Sequence, residues 1–336
     1  MTNAAVRVAA LDGWAGVLAN KGINASDVMS PAPDQAPCAT DSAMMPLKDF
    51  VRFSEAVVAH SRDAALPWLA GTHYDLSSLG SVGDAINTAG KVGSAIRRFV
   101  EYFSLLQDCT DIHFGLEGPM ACVSYRILDP DIWPRHYDAM FSLGIIGQLI
   151  RRGRHGGWDK VEFAFEAEQG ELRSNIAQVV QAPCTFGADT NQIRFPAAFL
   201  DLPLPVARRA DDMRPLGRAL VAKRRATPVS ERLAQLVFRD LNALAIDQDR
   251  IAREIGMSTR TMRRKLAEEG SSYQQVLDEC RMRQALFEFR TRPDLSIAQI
   301  ALRLGYAEHS NFTRAFHRWS GQSPQAYRAS LAHPQH

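Results

Sequence analysis

The 336-residue chain is poor in cysteine: Cys38, Cys109, Cys122, Cys184 and Cys280 stand singly and are odd in number. No Cys-x-x-Cys pair occurs, so neither a zinc ribbon nor a disulfide framework is indicated, and reduced thiols of a cytoplasmic protein are the ordinary reading. Long apolar runs are also missing. Nothing approaches the roughly 18 uninterrupted residues a membrane-spanning helix needs, and the first twenty residues, interrupted by Arg7 and Asp12, lack the form of a secretory leader. There is no glycine-rich phosphate cradle of the Walker type. His60, His73, His113 and His136 are widely separated, with no Ser or Cys nucleophile in a recognisable elbow. Hydrolysis and nucleotide-driven chemistry therefore lack residues to carry them, and the expectation is a chain that is not an enzyme and uses no cofactor or metal.

Net charge is only +2, but it is unevenly distributed. Residues 1–207 hold 16 Lys and Arg against 23 Asp and Glu, net −7, whereas residues 208–336 hold 23 against 14, net +9. An acidic front and a basic back suit a chain whose second half faces a polyanion. The front mixes helical patterns (Val8–Asn20, Pro46–Ser61, Asp84–Gln107, Asp131–Arg152) with short Val-, Ile- and Phe-rich strands (Ile112–Leu116, Ala121–Leu128, Val161–Phe165, Gln192–Phe195). Glu117-Gly118-Pro119 reads as a hairpin turn between the first two strands. Leu202-Pro203-Leu204-Pro205 stiffens the chain at the start of a linker, Asp201–Ser230, with room for a short helix over Asp211–Ala222. From Glu231 to Tyr327 the pattern is almost wholly helical. The fold expected is an α+β N-terminal domain (1–205), a linker (206–229), and an all-α domain (230–331) holding two helix-turn-helix units joined by a long helix.

Asp249–Gly270 carries the chemistry: DRIAREIGMSTRTMRRKLAEEG. Ile251, Ala252, Ile255, Met262 and Leu266 form the inner face of two short helices, Gly256 suits the left-handed turn between them, and Ser258 is placed to cap the second. That second helix turns Thr259, Arg260, Arg263, Arg264 and Lys265 outward, and arginines on such a face can each donate two bonds to guanine in a major groove. The pattern recurs in Ser296–Gly321, with Gly305 at the turn, 49 residues after Gly256. There Phe312, Phe316 and Trp319 are spaced to bury the second helix. His309, Ser310, Thr313, Arg314 and His317 point out. Tyr273–Arg290 forms one long helix able to hold both units, so that two recognition helices can enter successive major grooves about 34 Å apart.

The second unit and the Gly321-Gln322-Ser323-Pro324-Gln325-Ala326-Tyr327-Arg328 run after it resemble the AraC/XylS family of bacterial transcription regulators. The resemblance rests on the Ile-Ala pair, Leu-Gly-Tyr, Ser-Asn-Phe-x-Arg-x-Phe and the closing Gly-x-Ser-Pro-x-x-Tyr-Arg. More loosely, Cys184-x-Phe186-Gly187, the strand Asn191–Phe195 and Leu200-Asp201-Leu202-Pro203 are similar to the arabinose-binding-type sensory domain that precedes this module in relatives. The resemblance implies double-stranded promoter DNA, RNA polymerase and a small-molecule effector as partners, a homodimer, and activation rather than repression. It puts Ser258, Thr259, Arg260, Arg263, Arg264 and Lys265, then His309, Ser310, Thr313 and Arg314, at the DNA. The Arg-rich first helix is expected to carry more binding energy and the more neutral second helix more positioning. Effector-contacting residues are unassigned.

Other readings remain beside this one. A constitutive dimeric binder without a ligand, or a DNA-modifying enzyme with an appended helix-turn-helix module, would share the basic half. Phe312, Phe316 and Trp319 could offer a base-stacking platform, but at i, i+4, i+7 they belong to a core. His309 and His317, eight apart, do not converge on a metal. Arg151-Arg152-Gly153-Arg154-His155 complements the dipole of the helix before it, or holds an anionic effector. His333 and His336 belong to a frayed tail. Helices Asp84–Gln107 and Asp131–Arg152 both offer faces for dimerisation.

Overall fold

The computed structural model describes residues 4–24, 28, 43–153, 156–168, 176–205, 213–241 and 246–332. Cys38, Arg154, His155, Arg208, Arg209, His333 and His336 lie outside the described residues. Contacts divide the chain into two compact units, Met1–Ile127 with Ile132–Arg224, and Leu128–Asp131 with Arg225–His336.

In the first unit, β1 (Ala5–Arg7) leads through a 3-10 turn into α1 (Asp12–Asn20), and β1 pairs antiparallel with β2 (Met44–Pro46). Helices α2 (Leu47–Ser61), α3 (Leu66–Thr72), α4 (Ser81–Asn87) and α5 (Val92–Tyr102) follow. Next come the hairpin β3 (Thr110–Glu117) and β4 (Met120–Ile127), then α6 (His136–Gly153), β5 (Glu162–Ala164), α7 (Ile176–Val180), β6 (Cys184–Thr185) and β7 (Asn191–Pro196). The five-stranded sheet runs β3-β4-β7-β5-β6, antiparallel except for the parallel β5–β6 pair. Glu117 pairs with Met120, so the turn falls at Gly118-Pro119, within the Glu117-Gly118-Pro119 segment expected to turn, and Glu117 itself ends the strand.

Helix α6 is the axis of this unit, with buried residues on every side, from His136 to Ile150. Its contact with α3 is close because both helices offer glycine. A Cβ on Gly71 would fall 2.2 Å from the Phe141 carbonyl oxygen, and one on Gly144 would fall 3.0 Å from the Gly71 Cα. Trp14 and Tyr74 close over Phe141 from the other side, at centroid distances of 5.7 and 5.8 Å. A helix buried in this way has no free face, which overturns its candidacy as a dimer surface.

Two helix expectations are corrected. The continuous helix Asp84–Gln107 is broken between α4 and α5 and ends in a separate 3-10 turn at Phe103–Leu105. At the break the Gly90 carbonyl accepts from Leu204 N–H, and Val92 N–H donates to the Leu202 carbonyl, so strand-like pairing outcompetes helical bonds there. The helix expected from Asp131 begins at His136, because Pro134 lacks an amide and keeps Trp133 out of the helical region.

After β7 comes α8 (Arg214–Ala226), longer at its end than the Asp211–Ala222 expected, and stopped by Thr227-Pro228. The second unit is helical: α9 (Val229–Asp240), α10 (Gln248–Ile255), α11 (Thr259–Glu268), α12 (Tyr273–Thr291), α13 (Ile297–Arg303), α14 (His309–Ser320) and α15 (Pro324–Ala332). Phe289 from α12 meets Phe316 and Tyr327 at 5.4 and 5.6 Å, tying α14 and α15 to the long helix.

Burial also sets the thiol chemistry. It pushes Cys122 and Cys184 up to about 11 and Cys280 up to about 12. At pH 8 their thiolate fraction is then on the order of a thousandth or less, against about a quarter for a free thiol. Native protein treated with a thiol-specific disulfide reagent should leave these three unlabelled by peptide mass mapping until urea is added. Labelling within seconds in the folded state would contradict this.

Candidate nucleic-acid interface

Both helix pairs of the second unit are closed by the same device. Ile251, Ala252 and Ile255 of α10, with Met262 and Leu266 of α11, are buried; so are Ile300, Ala301 and Leu304 with Phe312 and Phe316 in the second pair. Gly256 and Gly305 take φ of +83° and +75°, conformations an L side chain resists. Met257 N–H bonds to the Ala252 carbonyl and Tyr306 N–H to the Ala301 carbonyl, both at 3.0 Å, the six-to-one bond of a Schellman ending. The orphan carbonyl at each helix end is met by an arginine from the helix packed behind it. Arg232 of α9 donates to Ile255 O, and Arg281 of α12 donates to Leu304 O at 3.1 Å, lying 4.5 Å from the Tyr306 ring. Each of these residue pairs is offset by the same 49 positions as the glycines. The glycines stand out in the sequence and the two arginines do not, because their contacts are made by α9 and α12 behind the turns and their one sequence signal is the shared 49-residue offset.

The recognition helices differ at their starts. Ser258 caps α11, its hydroxyl accepting from Thr261 N–H at 3.2 Å. At the same place before α14 stands Glu308, which makes no side-chain cap and accepts instead from the Ser310 hydroxyl at 3.3 Å. A carboxylate at this end repels phosphate yet can accept from a cytosine amino group. Glu308 drew no notice in the sequence because no motif position marked it.

Around α11, at roughly 100° per residue, Arg260 and Arg264 lie opposite the buried Met262 and Leu266, with Arg263 and Lys265 flanking; all four are exposed. Arg263 donates to Gln248 Oε1 at 2.6 Å, Arg264 sits 3.6 Å from Glu268, and the Thr259 hydroxyl donates to Asp249. On α14 the corresponding positions are Ser310, Arg314 and, at the flank, Thr313. Arg314 donates to Asn311 Oδ1 at 2.6 Å, and the Thr313 hydroxyl turns back on the His309 carbonyl at 2.9 Å. His309, Ser310 and Arg314 are exposed and Thr313 half-buried. Two of the three outward arginine positions of α11 are thus neutral in α14. Phe312 and Phe316 are fully buried and Trp319 half-buried, so the aromatic run is core.

Arg151, at the end of α6, lies 4.1 Å from the Trp158 ring and donates to the Val180 carbonyl at 3.3 Å, while Arg152 donates to Asn87 at 3.0 Å. These are packing and tethering roles. Elsewhere in the first unit a narrow cavity of about 30 Å³ is lined by Tyr74, Phe99, Phe103, Phe141, Gln107 and Ser142. Behind its polar end, Gln107 donates to the Tyr125 hydroxyl at 2.7 Å, and Tyr125 donates to Asp138 Oδ2 at 2.5 Å. The other Asp138 oxygen has no hydrogen-bond partner among the described residues. Burial pushes the Asp138 carboxyl up to about 7, with the Tyr125 bond and Arg135 opposing it.

Two Schellman-closed helix pairs, each presenting a polar outer helix, the first backed by α9 and the second by α12, define a helix-turn-helix DNA-binding module. Residues 34–204 match the arabinose-binding domain of AraC transcription regulators, and residues 251–330 match a helix-turn-helix domain. The chain belongs to the AraC family of transcription regulators. It is similar to an HTH-type transcriptional regulator of Mycobacterium tuberculosis, 28% identical over 325 residues, 93% of this chain and 90% of that protein. It is likewise similar to the ornithine utilization regulator of Pseudomonas aeruginosa, 28% identical over 294 residues and 83% of each chain. The crystal structure of the transcriptional regulator CdpR from Pseudomonas aeruginosa aligns over 96% of this chain and 98% of that one, with 22% identity and a TM-score of 0.43. The matched domains and these relatives are those of regulators, not enzymes. Among the described residues, no helix is long and apolar enough to cross a membrane.

Proposed function

We propose that the chain works in the cytoplasm as a homodimeric, sequence-specific activator that grips promoter DNA at two successive major grooves and answers to a small molecule. Residues 1–205 sense the effector and pair the copies, 206–229 link, and 230–331 read DNA. The outer face of α11 carries this reading. Arg260, Arg263 and Arg264 there offer bidentate donors to guanine, Lys265 and Thr259 reach phosphate, and Ser258 fixes the helix start. His309, Ser310, Thr313 and Arg314 set the register of α14 in the next groove. Bound upstream of a promoter, the module meets RNA polymerase.

The effector enters the cavity beside Gln107 and Ser142. About 30 Å³ holds no more than a few waters, so binding favours an arrangement in which the aromatic lining has opened, and the ligand acts by its preference for that arrangement. A genome-wide occupancy map of the intact protein beside its Arg263→Ala/Arg264→Ala variant tests the DNA reading. Sharp peaks upstream of a few operons, lost in the variant, are expected. Peaks indifferent to the two arginines would remove α11 as the reading head.

A further inference from the structure

Helix α8 contains five basic residues and no acidic one. Its two sides are chemically distinct. At roughly 100° per residue, Leu216 and Lys223 share one side. Leu216 is buried in the core of the first unit, and Lys223 pairs with Asp108 at 2.6 Å and donates to the Ser104 carbonyl. Arg214, Arg218 and Arg225 fall within roughly 40° of one another on the opposite side, and all three are exposed, as is Arg224 at the flank. The packed side thus fixes the direction in which the arginines point. From Arg214 to Arg225 the stripe is about 16 Å long at 1.5 Å per residue.

The three guanidinium groups neighbour one another along one face of α8, where like charges repel. Leu216 and Lys223 hold α8 to the first unit from the other side of the helix. The stripe complements a row of anions at regular spacing. Double-stranded DNA presents one charge per about 1.7 Å of axis. Only Thr227 and Pro228 separate α8 from α9, so Arg225 is tethered four residues, at most about 14 Å of chain, from Val229 at the start of α9. We propose that α8 is a third DNA contact, in which Arg218 and Arg225 hold the phosphate backbone flanking the site read by α11 and α14. The segment then anchors the protein on DNA, as well as linking its two halves.

Phosphate contacts carry no sequence information, which separates this proposal from the reading of α11. The test is anisotropy of the full chain on a random-sequence duplex and on a promoter fragment, titrated with salt, for wild type, Arg218→Gln/Arg225→Gln and Arg218→Lys/Arg225→Lys. The Gln variant should weaken binding to both duplexes by the same factor and lower the slope of log K against log salt by about 2, since each neutralised phosphate contributes about 0.9. The Lys variant should retain wild-type binding, because a point charge suffices at a phosphate. An unchanged slope on both duplexes would overturn the proposal. So would a Gln variant whose weaker binding accompanies a lower oligomeric mass in light scattering, which would assign the stripe to contact between copies. If α11 does not read sequence, the random duplex still reports on α8.

Discussion

Replacing Arg260 and Arg264 together with alanine is expected to weaken binding to a promoter fragment by about a hundredfold or more, at about 1–3 kcal/mol for each bidentate arginine–guanine pair lost. Both side chains point directly away from the buried Met262 and Leu266, so truncation removes no core contact and the variant should unfold at the wild-type temperature. Thr313→Ala in α14 is expected to cost less than about tenfold. Its hydroxyl already bonds the His309 carbonyl and must leave that partner to reach a base. Arg263 is the intermediate case, because its bond to Gln248 holds the guanidinium at one edge of the helix. Competition titrations with random duplex would separate lost specificity from lost affinity. A larger loss for Thr313→Ala than for the double arginine variant would reverse the ranking of the two helices and make α14 the principal reader.

The legible and illegible parts of this protein divide along physical lines. Helix pairs α10–α11 and α13–α14 were readable because local rules agree there: apolar spacing, a glycine at a left-handed turn, and a serine cap before α11. The hairpin at Gly118-Pro119 was readable for the same reason. Local rules failed where distant chain decides the outcome. At Thr88–Lys91 Gly90 is a weak local sign of a break, but what decides it, pairing with Leu202 and Leu204, comes from more than a hundred residues away. From sequence, helix α6 reads as amphipathic, with a face to spare, because its Gly144 and Gly147 dilute the apolar pattern. Those glycines are small so that α3 and Trp68 can approach. The outward residues of α11 were found from spacing, but their restraints, Gln248 and Asp249, lie on α10 and needed the folded pair. Arg232 and Arg281 could have been found by asking what repeats at the 49-residue offset of the glycines.

The pH dependence of stability follows from Asp138. Its carboxyl is fully buried, and desolvation raises it from 3.8 to about 7 despite the hydrogen bond from Tyr125. Between these values the unfolded chain ionises while the folded protein keeps the proton, so the native state binds more protons and stability falls as pH rises. The contribution is complete below about 4 and lost by about 7; three units at 1.36 kcal/mol each make it about 4 kcal/mol. Asp138→Asn keeps an acceptor for the Tyr125 hydroxyl and cannot ionise. Relative to wild type it should gain stability steadily across this window and hold the full gain above it. Urea unfolding of the intact chain, followed by tryptophan fluorescence, suits the measurement because Trp14, Trp68, Trp133 and Trp158 lie in the first unit. Parallel pH profiles for the two proteins would mean that Asp138 ionises inside the fold at no cost. The orphaned oxygen would then have to be solvated through the cavity that Gln107 and Ser142 line. A variant that gains stability but no longer responds to the effector would place the carboxylate at the ligand.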